Sequence, residues 1–455
     1  MRKLYITIVI FIIHYSLFIP TAQAKISFRG AWIATVANID WPSTGSIGYP
    51  ATQQQELVDM LDSLQAIGIN SIIFQVRPTA DALYWSELEP WSHWLTGVQG
   101  YWQDNGSLLA GIDDQYDPLE FIVSEAHDRD MQVHAWLNPY RVTISMMDTS
   151  QLVANHIMRL HPDWFWQYGE QWYFEPGLDE TRHWICLVVE DIVSLYDIDA
   201  IHMDDYFYPY PKPRLPLPDK ACFEAHPRGF TDIREWRRNN VNMAIRDIAK
   251  TIKATKPYVE FGISPFGVWR NNTRDSLGSA TTAGLTNYDN LYADVLYWIR
   301  EGWIDYVCPQ LYWHIGNRAA DYNTLAHWWA QRVDEANLEY AKKAFRRLTT
   351  EEIVPPASRD DIIHPSPVPV TFCKLYIGMA PYRLGSEKEA AAWRTGNEID
   401  RQMKINRTIP QIEGECFYST KPLLRNPLGV CDTIRNYYLP QQPPTSNLQP
   451  LTPNP

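Results

Sequence analysis

The feature that most constrains this chain is a repeated unit: an amphipathic helix, a short break, then an apolar run ending in polar or aromatic residues. In one copy, Leu57, Leu61 and Leu64 share a helical face. Thr52 and Gln55 there form a capping box and Gly68 marks the stop, before an apolar run from Ile69 to Val76. In the next, Asp117 is the N-cap and Pro118 the first helical residue, ahead of an apolar run beginning at Met131. Later, Val241, Ile245, Ile248 and Ile252 mark a helix before the run from Val259 to Ser264. Continuing this way predicts strands near residues 28–36, 71–77, 131–138, 198–204, 259–264, 304–312, 373–380 and 413–418. Strands alternating with helices pair in parallel through right-handed crossovers, and eight such units close into a (β/α)8 TIM barrel with long loops at its C-terminal face. A doubly wound open sheet is the alternative. The longest connections follow the second to fifth strands, on the face where such barrels gather their chemistry.

The ends of the chain differ from its body. Arg2 and Lys3 precede a mostly apolar stretch to Ile19 and the small-residue site Ala22-Gln23-Ala24, the pattern of an export leader over residues 1–24. The barrel is expected over 25–435 and a Pro-rich disordered tail over 436–455. No later run is long and apolar enough to span a membrane, so an exported protein, periplasmic or secreted, with no stable membrane insertion after leader cleavage is expected. The six cysteines lack metal-ligand spacing, and only Cys416 and Cys431 suggest a disulfide. A net charge of -13 and the absence of any basic run argue against nucleic acid. Of the 19 Trp and 26 Tyr, more than half are expected to plug a large core, and some to form flat platforms for sugar rings, whose C–H faces pack on aromatic ones.

The polar residues at the predicted strand ends carry the chemistry. They include Asp40, Arg77 with Asp81, His134, Asn138 and Arg141, His202 with Asp204 and Asp205, Gln310, Tyr312 and Trp313. No Gly-rich phosphate loop, dinucleotide fingerprint or nucleophile elbow is present, and no cofactor is implied. Carboxylates among aromatics suit glycoside hydrolysis, which needs one carboxylic acid for the leaving oxygen and a negative group at the oxocarbenium-like carbon. In "IDAIHMDDYFYPYP" (198–211) the alternation of a strand turns His202 and Asp204 inward and Ile201 and Met203 toward the helices. Asp204 is the candidate nucleophile or charge stabiliser, held ionised by a neighbour such as Arg77, and Asp205 or Asp81 is the candidate acid. Tyr206, Phe207, Tyr208 and Tyr210 would wall the site, and Trp41, Trp269 and Trp313 are candidate sugar platforms. Two other classes remain open: a glycan-binding barrel without turnover, and a metal-dependent hydrolase such as a polysaccharide deacetylase, with His202, Asp204 and His134 as ligands.

The stretches "FRGAWIATVANIDWPS", "IIFQVRPTADALYWSELEPWSHWLTG", "VHAWLNPYRV", "IDAIHMDDYFYPYP", "GISPFGVWRN" and "CPQLYWHIG", in this order, resemble the bacterial glycosyl-hydrolase-like family 10 over residues 27 to 430. The resemblance implies a TIM barrel, export and action on glycans. It draws attention to Arg77, Asp81, Asn138, Arg141, Asp204, Asp205, Trp269 and Gln310 as binding or catalytic positions. A polysaccharide of the envelope or exterior is the expected partner, with peptidoglycan glycan strands as first candidate, since Arg77 and Arg141 suit a lactyl or uronic carboxylate. Cleavage after Ala24 is expected, so N-terminal sequencing of the exported protein should begin at Lys25; exported protein still starting at Met1 contradicts the leader.

Overall fold

The computed structural model describes residues 26–100, 116–144, 152–350, 371–394 and 397–439. The leader and residues 440–455 of the expected tail lie outside them. Eight parallel strands close a barrel in the order β1 (Phe28–Ile33), β2 (Ser71–Arg77), β3 (Gln132–Leu137), β6 (Ala200–Met203), β7 (Glu260–Ile263), β8 (Tyr306–Val307), β9 (Lys374–Met379) and β10 (Ile412–Phe417), which returns to β1. Each expected strand is present, mostly shortened at its end. The first stops at Ile33 because Val36–Asn38 coils into a 3₁₀ turn with Ala37 and Asn38 at positive φ.

Around the barrel run α1 (Pro50–Gln65), α2 (Pro118–His127), α3 (Asp179–Leu195), α4 (Ile233–Thr255), α5 (Val295–Glu301), α6 (Tyr322–Thr350) and α7 (Asn397–Thr408). Helix α1 buries Leu57, Leu61 and Leu64 as expected, but it opens at Pro50 and not at a Thr52 capping box. Proline's preset φ and missing N–H suit the first helical position and start the helix earlier. Helix α2 starts as read: the Asp117 carboxylate accepts from the Leu119 and Glu120 amides at 2.9 and 3.2 Å. The closing helix α8 (Val430–Tyr438) buries Ile434 and runs past the expected boundary at 435. Its Tyr438 hydroxyl donates to buried Glu415 at 2.5 Å. All six cysteines are free. Cys416 packs inside the barrel with Phe28 and Trp32, whereas Cys431 sits in the core outside it, so the two cannot pair.

A hairpin stands apart from the barrel, in the loop after β3: β4 (Phe165–Tyr168) pairs antiparallel with β5 (Gln171–Phe174). Gly169, at φ 64°, makes its two-residue turn possible.

The barrel interior explains how the strand ends are held. Gly262 of β7 has no side chain, and the Tyr306 ring lies where one would stand: an added Cβ would come within 1.8 Å of it. From there the Tyr306 hydroxyl reaches Nδ1 of both His134 and His202 at 2.8 Å, donating to one and accepting from the other. Burial pushes His134 down to about 3 and His202 well below its ordinary value, so both imidazoles are neutral. The second ring nitrogen of His202 faces the Ser264 hydroxyl at 3.0 Å and the Trp32 indole N–H at 3.4 Å. This polar layer forms a fixed floor beneath the C-terminal mouth. Above it, Ile201 and Met203 point to the helices as the alternation requires, and the chain leaves β6 at Asp204.

Candidate active site

Asp204 and Asp205 are the first two residues beyond β6, and both are buried. They line one cavity of about 190 Å³ with Trp32, Trp136, Tyr206, Tyr210, Ser264, Gln310, Tyr312 and Tyr418. Neighbouring β3 supplies the partners of Asp204. Trp136 pairs in register with His202, and its indole N–H donates to Asp204 Oδ2 at 3.1 Å. Oδ1 accepts from the Asn138 amide at 3.3 Å and from the Tyr206 backbone N–H at 3.1 Å. Asn138 is itself oriented, since its Oδ1 accepts from the Arg141 backbone N–H at 2.9 Å.

The two carboxyl groups are tuned differently. Burial raises Asp204, while the Arg141 charge and the three donors oppose the rise. Asp205 is pushed up to about 7, first by burial and then by the charge of Asp204, against the hydrogen bonds of Tyr210 and Gln310. The Tyr210 hydroxyl donates directly to Asp205. Both carboxyls are thus drawn toward the protonated form, Asp205 as far as about 7, which makes Asp205 the one poised to give and take a proton near neutral pH. A proton donor beside a held anion, inside an aromatic cavity, is equipped for acid-assisted cleavage of a polarised C–O bond.

The other expected site residues divide. Gln310 and Tyr312 line the cavity as expected; the Gln310 amide also donates to the Ser264 carbonyl at 2.9 Å. Asn138 and Arg141 stand behind Asp204, with the Arg141 guanidinium 5.3 Å from the Tyr206 ring centre. Arg77 does not pair with Asp204. Its Nε and Nη2 hold both oxygens of buried Glu89 at 2.6 Å, and Nη1 donates to the Asn138 carbonyl at 2.6 Å, so it pins the loops after β2 and β3 together. Asp81 lies outside the cavity lining. Burial works to raise it, but His93, Thr79 and Gln99 outweigh this and lower it, which keeps it ionised and unsuited to be the acid. Trp41 and Trp269 are not platforms. Trp41 is fully buried with its N–H on the Gln53 carbonyl, and Trp269 packs against Trp328 and Tyr288. Only Trp313 of the three stays partly exposed, edge-on to Phe266. Of the four aromatics after Asp205, Tyr206 and Tyr210 wall the cavity, whereas Phe207 packs on Trp298 and Tyr208 on Tyr292. Trp32 was not singled out from the sequence. It shares the inward side of β1 with Phe28 and Gly30, and an indole at that side's mouth end was the available signal. The imidazole of His202 has both nitrogens engaged, which removes the expected ligand from the metal reading.

Comparison with known proteins follows the same line. The family profile of glycosyl hydrolase-like 10 matches residues 27–350. The chain is 42% identical over 443 residues to the glycosyl hydrolase YngK of Bacillus subtilis (strain 168), covering 96% of this chain and 78% of the relative. It is 35% identical over 416 residues to the glycosyl hydrolase DigH of Escherichia coli (strain K12), covering 88% and 84%. Among solved structures, the glycoside hydrolase domain of PgaB (BpsB) from Bordetella bronchiseptica superposes with a TM-score of 0.50 at 10% identity, over 91% of this chain and 99% of that one, a likeness of fold.

The Arg77 geometry sets a stability prediction. Arg77→Met strands the buried Glu89 charge and is expected to cost about 3–5 kcal/mol in urea unfolding, as loss of one partner of a buried pair does. A variant with unchanged stability but weakened glycan binding would return Arg77 to the substrate.

Proposed function

Since the chain belongs to the glycosyl hydrolase-like 10 family and is a glycoside hydrolase, we propose that Asp205 is its general acid and Asp204 the anion that stabilises the charge developing at the anomeric carbon. The observation that carries this reading is the adjacent pair itself: two carboxyl groups in one aromatic cavity at the mouth of the barrel, one drawn toward the protonated form and the other supplied with three donors and the Arg141 charge. In the reaction, the Asp205 proton passes to the glycosidic oxygen as the C–O bond lengthens. Asp204, already anionic, stabilises the oxocarbenium-like carbon, and the Asp205 carboxylate then takes a proton from the attacking water. Tyr206 and Tyr210 exclude solvent, and that burial favours the protonated acid more than the Tyr210 hydroxyl's hydrogen bond opposes it.

The substrate proposed is a polysaccharide of the envelope or exterior, reached by export of the mature chain, with peptidoglycan glycan strands first. Among the described residues no helix is long and apolar enough to cross a membrane. With Arg77 taken by Glu89, Arg141 is the cation left for a lactyl carboxylate.

Activity should fall as pH rises through about 7, because the acid form of Asp205 is lost there. Asp204→Asn is expected to lose at least about a hundredfold in kcat with the fold intact. Asp205→Asn should retain turnover of activated aryl glycosides and lose the limb near 7. Release of reducing ends from peptide-free peptidoglycan strands reads the first two, and full activity in Asp204→Asn would overturn the assignment.

A further inference from the structure

Asp40, a polar residue just past the first strand, is not among the residues lining the cavity, and its contacts give it a different task. The barrel closes where its first strand meets its last. There β1 pairs with β10 from Phe28 opposite Gly414 to Ala31 opposite Phe417. Past Ala31 the ladder stops, yet two residues of the cavity wall stand on this seam: Trp32 of β1 and Tyr418, which follows β10. Their rings meet edge-on at 6.0 Å. In the strand order β10 stands opposite β6, so this aromatic pair faces Asp204 and Asp205 across the mouth.

Asp40 takes over where the ladder ends. After β1 the chain doubles back through Ala37 and Asn38, both at positive φ, and the Asp40 N–H donates to the Ala34 carbonyl at 2.8 Å. The carboxylate then lies between the two strand ends. Oδ2 accepts from the Ala34 N–H at 2.8 Å, and Oδ1 accepts from the Ser419 hydroxyl at 2.9 Å and the Lys421 N–H at 2.8 Å. Beside it the Thr420 hydroxyl donates to the Trp32 carbonyl at 2.8 Å. On the other flank Gln75 of β2 anchors the same turn, its Oε1 accepting from the Thr35 and Val36 N–H groups at 3.1 and 2.9 Å. Asp40 is buried, so water does not replace these bonds. Two of its three side-chain donors are backbone N–H groups, which cannot reverse. A carboxylate accepts on both oxygens, whereas an amide would set an NH2 group against one of those donors.

We infer that Asp40 is a positioning residue: it ties the ends of β1 and β10 together beyond their last ladder pair, and so fixes the Trp32–Tyr418 wall against which the substrate is held. The inference rests on the glycoside hydrolase reading of the cavity and assigns one of its walls a support. The role is separate from the chemistry. Asp204 is held by Trp136, Asn138 and Tyr206, and Asp40 by Ala34, Ser419 and Lys421, with no residue in common. A loosened wall holds the ground state and the transition state less well alike, while Asp204 and Asp205 keep their partners. A loss of that kind raises KM and leaves kcat.

The test compares Asp40→Asn with the unaltered mature protein on peptide-free peptidoglycan strands, reading reducing ends. A second arm places a ring-fluorinated tyrosine at position 418 in both proteins and records fluorine NMR without substrate. Asp40→Asn is expected to raise KM about tenfold with kcat kept within about threefold, the pattern of lost uniform binding, and to move the Tyr418 resonance. An unchanged KM, a kcat loss larger than the rise in KM, or an unmoved resonance overturns the inference. If Asp40→Asn does not fold, Ser419→Ala removes one donor and keeps both backbone bonds; it should raise KM about threefold in the same pattern, and an unchanged KM there overturns the inference. If the unaltered protein cleaves none of a panel of polysaccharides, the hydrolase reading falls, and the Tyr418 resonance alone decides whether Asp40 fixes the wall.

Discussion

Two carboxyl groups in one desolvated cavity resist being charged together, since each ion loses hydration and repels the other. The site is organised around that conflict. Asp204 receives three hydrogen-bond donors and the nearby Arg141 charge; at Asp205, burial and the repulsion of its neighbour outweigh the hydrogen bonds of Tyr210 and Gln310. The proton therefore settles on Asp205. Two residues that are identical in chemistry and adjacent in sequence acquire different roles from what surrounds them.

The barrel makes this arrangement rigid. Parallel closure brings β3 beside β6, and the in-register pairing of Trp136 with His202 carries the indole N–H to Asp204, two residues beyond. Below, neutral His134 and His202 are clamped by the hydroxyl of one tyrosine, whose ring sits over the glycine of β7. Because the floor is uncharged, it adds no cation that would pull Asp205 back toward ionisation. Beside the site, the buried Arg77–Glu89 pair fixes the loops after β2 and β3, the second of which carries Asn138, a donor to Asp204, and Arg141, whose charge favours the Asp204 anion.

The fold was legible because a barrel of parallel strands buries every strand on both faces and every helix on one, and both patterns survive in single-chain periodicity. The strand ends were legible for the same reason, so Asp204, Asp205, Gln310 and Tyr312 were found in place. Partners were not. Arg77 meets Glu89, twelve positions on within one irregular loop, and nothing in the spacing shows that closure. Trp41 and Trp269 lie in loops at the correct face, but a loop can fold its aromatic rings inward as easily as present them, and residue type does not tell the two apart. The aromatic run after Asp205 divides between cavity and helix packing because the chain bends there and a strand's alternation no longer applies. The hairpin of β4 and β5 was readable in "FWQYGEQWYF", aromatic stretches about a glycine turn, yet it interrupts the strand–helix alternation and was passed over.

The central claim is that the proton resides on Asp205 while Asp204 stays charged. Carbon-13 NMR of protein labelled at its aspartate carboxyls, titrated from acid to alkaline pH, measures this directly. The account predicts one carboxyl titrating near 7, absent from Asp205→Asn and retained, with a lower midpoint, in Asp204→Asn, where the neighbouring charge is gone. It is contradicted if every aspartate titrates in the ordinary acidic range, or if the group near 7 survives in Asp205→Asn.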